Sequence, residues 1–143
     1  MIYDLAAYIR ANVTFPGDFD PADQFVVGGW LPDDKLVCVL LRESSGLATG
    51  DMQDRRDLPF QFLARGETHG EARDLIFAIF DSPALGTTQP DGGFMHARFQ
   101  WPLSTSVWVS KFSWIQTPYD LGATEPGGYA YSANCLIVTG NSA

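Results

Sequence analysis

The chain has 143 residues, of which 45% are hydrophobic, 13% aromatic and 18% charged. This length suits one domain over residues 1–143, and the aromatic content argues against a disordered chain. The 9 basic and 17 acidic residues give a net charge of −8, which argues against a basic nucleic-acid-binding module because the field repels phosphate. No apolar run approaches a membrane span and no secretory signal is recognisable, so we expect a protein made in the cytoplasm, without membrane contact.

The first half of the chain begins with apolar residues at helical spacing over positions 1–13, which predicts an amphipathic helix. A connector rich in Pro, Gly and Asp follows at 15–24. Residues 25–27 predict a short extended element, and 36–42 predict a buried strand. The segment 44–57 has no sustained period, so we expect a loop or an exposed hairpin tip there.

The middle of the chain carries the strongest local signal. Residues 58–65 alternate in polarity, as a half-buried strand does. Thr68 and Glu71 then form a capping box, in which each side chain bonds a free N–H at a helix start. Apolar residues at i, i+3, i+4, i+7 and i+8 from Ala72 predict the buried face of this helix, and Pro83 prevents its continuation.

The second half of the chain is rich in strand-like segments. A polar loop at 86–93 is followed by a weak strand at 94–101, which Pro102 ends. A strong strand is predicted at 107–116, a long loop at 118–128 and a closing strand at 129–139. Alternation along the strong strand places Trp108 and Trp114 on one face. Helices and strands neither alternate strictly nor segregate. We therefore predict an α+β domain with a mostly antiparallel, mixed sheet and two main helices packed on one face.

Residues that carry catalysis or bind cofactors are sparse. The two histidines, His69 and His96, lack metal-ligand spacing, and we expect His69 to be solvated. No phosphate-binding glycine loop and no nucleophile motif occurs. Cys38 and Cys135 lie in apolar runs and are expected to be reduced core thiols. We predict no enzymatic activity, no metal site and no cofactor.

Aromatic residues exceed what a two-helix core needs, and Trp and Tyr commonly anchor protein interfaces. The segments 44–57 and 117–127 also hold apolar residues that a solvated loop does not need. Two arginines in the first of them suit the rim of a contact. The candidate interface residues are therefore Met52, Arg55, Arg56, Trp108, Trp114, Tyr119 and Leu121.

The order of these features resembles the minor capsid and tail-terminator proteins at the neck of long-tailed bacteriophages. In that pattern a strand ends in a Pro-Asp turn, and a strand ending in Arg leads directly into an amphipathic helix. A later strand reaches a Gln, a Pro-aromatic-x-x-Gly loop, a glycine turn and a final strand with a central Asn. The corresponding residues are Pro32-Asp33, Arg65, 68–81, Gln116, Pro118-Tyr119, Gly122, Gly128 and Asn134. The segment FMHARFQWPLST departs from the pattern as an insertion.

The resemblance implies a structural virion protein that forms a ring, commonly of about six copies, at the head–tail junction. Such a ring ends tail-tube growth and joins the tail to the head connector. Its partners would be further copies of itself, the tail tube protein and a head-completion protein, and DNA would pass through the lumen without specific binding. Two alternatives stay open: another head- or tail-completion protein of the neck, and a small host α+β domain that binds a ligand or catalyses a reaction.

Overall fold

The computed structural model describes residues 2–44, 55–85, 96–97, 101–102 and 107–141. These residues form three helices, α1 (Ile2–Asn12), α2 (Pro21–Gln24) and α3 (His69–Phe80), and a short 3₁₀ turn at Pro83–Leu85. They also form eight strands: β1 (Phe25–Val27), β2 (Cys38–Glu43), β3 (Arg55–Gly66), β4 (His96–Ala97), β5 (Trp101–Pro102), β6 (Val107–Trp114), β7 (Tyr119–Ala123) and β8 (Tyr129–Asn141). None of the described helices is long and apolar enough to cross a bilayer.

All eight strands belong to one mixed sheet. Its main path runs β1-β2-β3-β8-β6-β4, while β5 pairs with β6 and β7 pairs with β8. The β1–β2 pair is parallel, and the other pairs are antiparallel. The predicted α+β class with a mostly antiparallel sheet is confirmed.

Both long helices pack on one face of this sheet, as predicted. The core lies between them and the apolar side chains of β2, β3, β6 and β8. The helices contribute Leu5, Ala6 and Ile9 from α1, and Leu75, Ile76 and Ile79 from α3. Trp114 lies in this core at 2% exposure. Its ring centroid is 5.2 Å from that of Phe80 and 5.1 Å from that of Phe112.

The boundaries of α3 follow from its sequence. Thr68 Oγ1 accepts the N–H of Glu71 at 3.1 Å, which satisfies one of the free donors of the first turn. Glu71 Oε1 accepts the N–H of Glu67 at 2.7 Å, one residue before the cap. The capping interaction predicted from Thr68 and Glu71 therefore forms, with the glutamate reaching one residue further back.

The opposite face of the sheet carries a smaller apolar cluster, formed by Leu31, Cys38, Leu40, Leu63 and Ala130. Next to it, Arg65 is only 1% exposed at the end of β3. Its guanidinium donates to three backbone carbonyl oxygens of the segment before β2, those of Pro32, Lys35 (2.6 Å) and Leu36 (2.9 Å). Arg65 thereby fixes the 32–36 turn against the sheet.

Four sequence predictions are wrong at particular positions. Residues 55–57 belong to β3 rather than to a loop, and Pro102 pairs with Trp108 within β5 instead of lying after a strand. The expected long loop 118–128 contains β7. A register shift between Val109 and Lys111 interrupts the alternation in β6, so the single face expected for Trp108 and Trp114 does not continue through it. The predicted loop segments 45–54 and 86–93 lie outside the described residues.

Candidate assembly surface

The strand β7 continues the line of β6 along the same side of β8. Trp114 stands opposite Cys135 in β6, and Tyr119 stands opposite Ser132 in β7. A register shift between Asp120 and Gly122 leaves Leu121 as an extra residue. Gly122 has a φ of 84°, and its N–H donates to Asp120 Oδ1 at 2.6 Å. Within the described residues β7 pairs with β8 alone, so its outer edge has no described strand beside it.

The turn after β7 holds this end of the sheet together. The N–H of Thr124 donates to the carbonyl of Gly128 at 3.0 Å, which closes the hairpin to β8. Gly128 has a φ of 80°, and a Cβ there would collide with the carbonyl oxygen of Gly66 at the end of β3. Only glycine fits position 128, because it tolerates a positive φ and has no Cβ to collide with Gly66.

A groove of about 410 Å³ lies between this hairpin and the turn before β2. Its lining is mostly apolar, with Arg65 beside it and acidic side chains at Asp33 and Glu125. The apolar lining residues are Trp30, Leu31, Leu63, Leu121, Ala123, Pro126 and Ala130. Three segments that are distant in sequence thus build one hydrophobic depression on the face of the sheet opposite the helices.

Large apolar side chains remain exposed in the groove and on the strand beside it. Trp30 and Leu121 line the groove and are 64% and 44% exposed. Tyr119, two residues before Leu121 in β7, is outside the lining and 44% exposed. The guanidinium of Arg42 lies 5.0 Å from the centroid of the Trp30 ring and donates to the carbonyl of Gly29 at 2.9 Å. Trp30 is therefore held in place by a cation–π contact while its surface stays accessible. We call the groove together with the exposed side chains of Trp30, Tyr119 and Leu121 the assembly surface.

His69 connects the start of α3 to β7 from the helix side of the sheet. Its Nδ1 lies 3.2 Å from Asp120 Oδ2, and its ring stacks on Tyr129 with centroids 4.0 Å apart. His69 is exposed, as expected of a solvated histidine, and half of its side chain remains accessible beside these contacts. A His–Asp pair supports catalysis when a nucleophile adjoins the histidine. The contacts of His69 among the described residues are instead a carboxylate and aromatic rings, which dock the helix on the strand.

A second hollow, of about 660 Å³, lies between residues 16–19 and the first turns of α3. Three carboxylates line it, from Asp18, Glu71 and Asp74, together with Phe19 and Leu75. Within the described parts of the chain, no three His, Cys, Asp or Glu side chains are grouped so that they could hold a metal ion.

Both cysteines are buried and free, as expected for core thiols. Burial raises the pKa of the Cys38 thiol, and it raises the pKa of Cys135 well above the usual thiol range. Each thiol is therefore neutral, and neither has the lowered pKa of a nucleophilic cysteine.

The predicted interface residues fall in different parts of the molecule. Tyr119 and Leu121 lie on the assembly surface, whereas Trp114 is enclosed in the core. Trp114 is 2% exposed, so in the single chain it is a core residue, and a contact with a partner stays a prediction for this side chain. Three further candidates, Arg55, Arg56 and Trp108, lie at the other end of the sheet, where the strand register gives their positions. Arg55 and Trp108 both pair with Gly140, from opposite sides of β8, and Arg56 pairs with Thr139. Met52 lies outside the described residues.

Trp30, Asp33 and Glu125 line the groove but are not among the candidate interface residues selected from the sequence. Trp30 belongs to the aromatic residues that exceed the need of the core. No local pattern places residues 33 and 125 on one groove.

No protein-family model matches this sequence, and no curated protein matches it either. Within the sequence pattern, Pro32 accepts a hydrogen bond from Arg65. Two further pattern residues lie beside strand ends, Gly128 against Gly66 and Tyr119 opposite Ser132.

Proposed function

We propose that this protein is a structural component of the neck of a long-tailed bacteriophage. In this proposal its copies form a ring, commonly of about six, that ends tail-tube growth and joins the tube to the head connector. The observation that carries the proposal is the assembly surface. Exposed Trp, Tyr and Leu side chains grouped around an apolar groove are typical of a protein contact.

The residue pattern supports the same proposal. Pro32 and Arg65, which belong to that pattern, fix the turn beside the groove, and Gly122 and Gly128 shape the hairpin that forms its other side. In this proposal these residues set the shape of a contact surface, so no catalytic residue and no cofactor is required. The protein would assemble in the host cytoplasm and end in the virion.

The charge of the chain fits a ring through which DNA passes. Each copy carries −8, so a closed ring multiplies the negative potential around its lumen. Phosphate groups would be repelled by the wall and would not be retained. We expect no binding of duplex DNA by the isolated protein at physiological salt in a filter or gel-shift assay. Tight, salt-sensitive binding would contradict this part of the proposal.

The oligomeric state provides the main test. The purified protein would be analysed over a range of concentrations by sedimentation velocity and by negative-stain electron microscopy. We expect particles with a central hole and a mass of several copies, and we expect the double variant Tyr119→Ser/Leu121→Ser to shift them towards monomers. Tyr3→Ser is the matched control, since Tyr3 is 73% exposed on α1, outside the assembly surface. A monomer at every concentration, with no rings, would refute the proposal.

One alternative function has an observation in its favour. The hollow beside α3, at about 660 Å³, has the size of a small-molecule site, and its three carboxylates would select a cationic ligand. In that case the chain is a ligand-binding α+β domain. A stable monomer whose melting temperature rises with an added polyamine such as spermidine would favour this alternative over the ring.

A further inference from the structure

We propose that the groove of the assembly surface binds a segment of a second neck protein in which Lys or Arg side chains alternate with bulky apolar ones. In the proposed ring, β7 with Tyr119 and Leu121 meets the next copy, and the groove beside it receives this segment. The inference rests on the proposed function and adds to it the chemistry of a partner.

The two walls of the groove are held in place by the chain itself. One wall is the turn before β2, where the guanidinium of Arg65 donates to three backbone carbonyls of residues 32–36. The other wall is the hairpin from β7 to β8, which is closed by two hydrogen bonds of Thr124. Its N–H donates to the carbonyl of Gly128, and its hydroxyl donates to the carbonyl of Gly127. An occupant therefore meets a preformed groove, which lowers the ordering cost of binding.

Each wall carries one carboxylate, Asp33 on the turn and Glu125 on the hairpin. Both residues are exposed, and neither side chain has a hydrogen-bond or ion-pair partner among the described residues. The floor between the walls is apolar and includes Leu63 and Ala130. The cation at the groove, Arg65, is buried and already donates to backbone carbonyls. The groove therefore favours an occupant that brings positive charge together with apolar side chains.

Trp30 adds an aromatic surface to this acidic groove. Its ring lines the groove and is 64% exposed, and the guanidinium of Arg42 holds it in place. A Lys or Arg side chain can pack its methylene stem on such a ring while its charged head reaches a carboxylate. An accessible tryptophan in a groove is also the kind of residue that contributes most to protein contacts.

A second copy of this chain does not supply the required charge from its described side chains. All but one of the described basic side chains already hydrogen-bond within their own chain, and these are Arg10, Lys35, Arg42 and Arg65. The remaining one, Arg73, shares the exposed side of α3 with Glu71 and Asp74. Each copy also carries −8, so another copy is repelled at an acidic groove. The cationic occupant therefore comes from a different protein.

The test compares two labelled peptides of the same apolar content, acetyl-KLKFKL-amide and acetyl-ELEFEL-amide, by fluorescence anisotropy. At about 0.15 M salt we expect saturable binding of the lysine peptide and no measurable binding of the glutamate peptide. Asp33→Asn/Glu125→Gln should weaken binding of the lysine peptide about tenfold, because two exposed ion pairs are lost. Trp30→Ala should weaken it about tenfold or more. Thermal melts confirm that each variant is folded.

The matched control is Asp18→Asn/Asp74→Asn, which removes the same charge from the hollow beside α3. It should leave binding of the lysine peptide unchanged, so it separates a defined site from the general attraction of a cation to an acidic protein. Disulfide capture then locates the peptide. Ala123 is exposed in the groove and both native thiols are buried. Ala123→Cys protein should therefore capture a lysine peptide that ends in an activated cysteine, whereas Tyr3→Cys protein should not.

The outcomes separate this contact from the ring itself. Equal binding of the two peptides, an equal loss in Asp18→Asn/Asp74→Asn, or no binding up to about 1 mM peptide would overturn the inference. Rings that dissociate in Asp33→Asn/Glu125→Gln would also overturn it, because the groove would then belong to the contact between copies. A wild-type monomer at every concentration refutes the proposed function, whatever the peptides do, so the two failures are distinct.

Discussion

Replacing Arg65 should destabilise the folded chain more than any other single change of a charged residue among those described. Arg65 is 1% exposed and donates three hydrogen bonds to the carbonyls of Pro32, Lys35 and Leu36. In Arg65→Met the methionine keeps most of the apolar stem, so the substitution removes the hydrogen bonds with little loss of packing. The experiment therefore measures the turn–strand connection rather than a cavity.

The magnitude follows from two opposing effects. A hydrogen bond from a charged donor contributes about 1.5–3 kcal/mol, and three are lost. Removing the guanidinium also removes its desolvation cost, which amounts to several kcal/mol. The three carbonyls are half-buried, so water replaces only part of their bonding. We expect the free energy of unfolding to fall by about 2–4 kcal/mol.

Urea denaturation followed by tryptophan fluorescence measures this change, at concentrations low enough to keep the chain monomeric. The midpoint should fall by about 1–2 M at unchanged slope. Arg42→Met is the matched control, because Arg42 lies half-buried on the neighbouring strand and donates to Gln61 and Gly29. It should cost less than about 1 kcal/mol. An Arg65→Met midpoint within error of the Arg42→Met midpoint would refute the reasoning.

Four further changes test the packing. Ser132→Ala should raise the free energy of unfolding by about 1 kcal/mol in urea titrations, because its fully buried hydroxyl has no hydrogen-bond partner among the described residues. Gly128→Ala should lower it by at least about 2 kcal/mol, through positive φ and the collision with Gly66. Trp114→Ala should cost about 3–5 kcal/mol in the single chain, whereas Tyr119→Ala should leave the melting temperature unchanged and weaken assembly. Burial keeps the Cys135 thiol neutral in the folded chain, whereas the thiol of the unfolded chain ionises above a pH of about 8.5. The free energy of unfolding should therefore fall as the pH rises further. Thiol reagents should label Cys135 only when the chain unfolds.

Controls for the first two changes lie elsewhere in the chain. Ser82 Oγ accepts the N–H of Ala84 at 3.2 Å, so Ser82→Ala should destabilise where Ser132→Ala stabilises. Gly29 has no positive φ, and a Cβ there would lie in open space, so Gly29→Ala should be nearly neutral. Equal effects of the two serine changes, or of the two glycine changes, would contradict the packing described. For Trp114, a variant that assembles poorly while its single chain melts normally would place this side chain at an interface after all.

The elements predicted correctly are those whose signals lie within one segment. The Thr68–Glu71 cap and the apolar stripe after it specify α3 without tertiary information. By contrast, β7 lies in a segment dense in turn residues, TPYDLGATEPGG at 117–128. It becomes a strand because the part of β8 that β6 leaves unpaired is available to it. Tertiary pairing overrides local propensity there.

The same reasoning applies to the candidate interface residues. Apolar residues in a polar segment, such as Tyr119 and Leu121, predict exposed apolar side chains, and both are 44% exposed. For Trp114, periodicity distinguishes the faces of a strand but does not say which face a neighbouring helix covers, and this side chain is 2% exposed. The groove itself joins residues 30–33, 63–65 and 121–126, and no local pattern predicts that they meet.

The central place of β8 in the sheet has a consequence for synthesis of the protein. This strand is the last of the described elements to leave the ribosome, yet it pairs with β3 over twelve positions and with β6 and β7 on its other side. The β3–β8 pairing joins residues far apart in sequence, so a long segment must close before the sheet gains its middle strand. Until then the chain has two incomplete half-sheets with open edges and exposed apolar faces. A nascent chain is therefore exposed to premature association, and in the proposed ring only chains in which β8 has already been inserted would assemble.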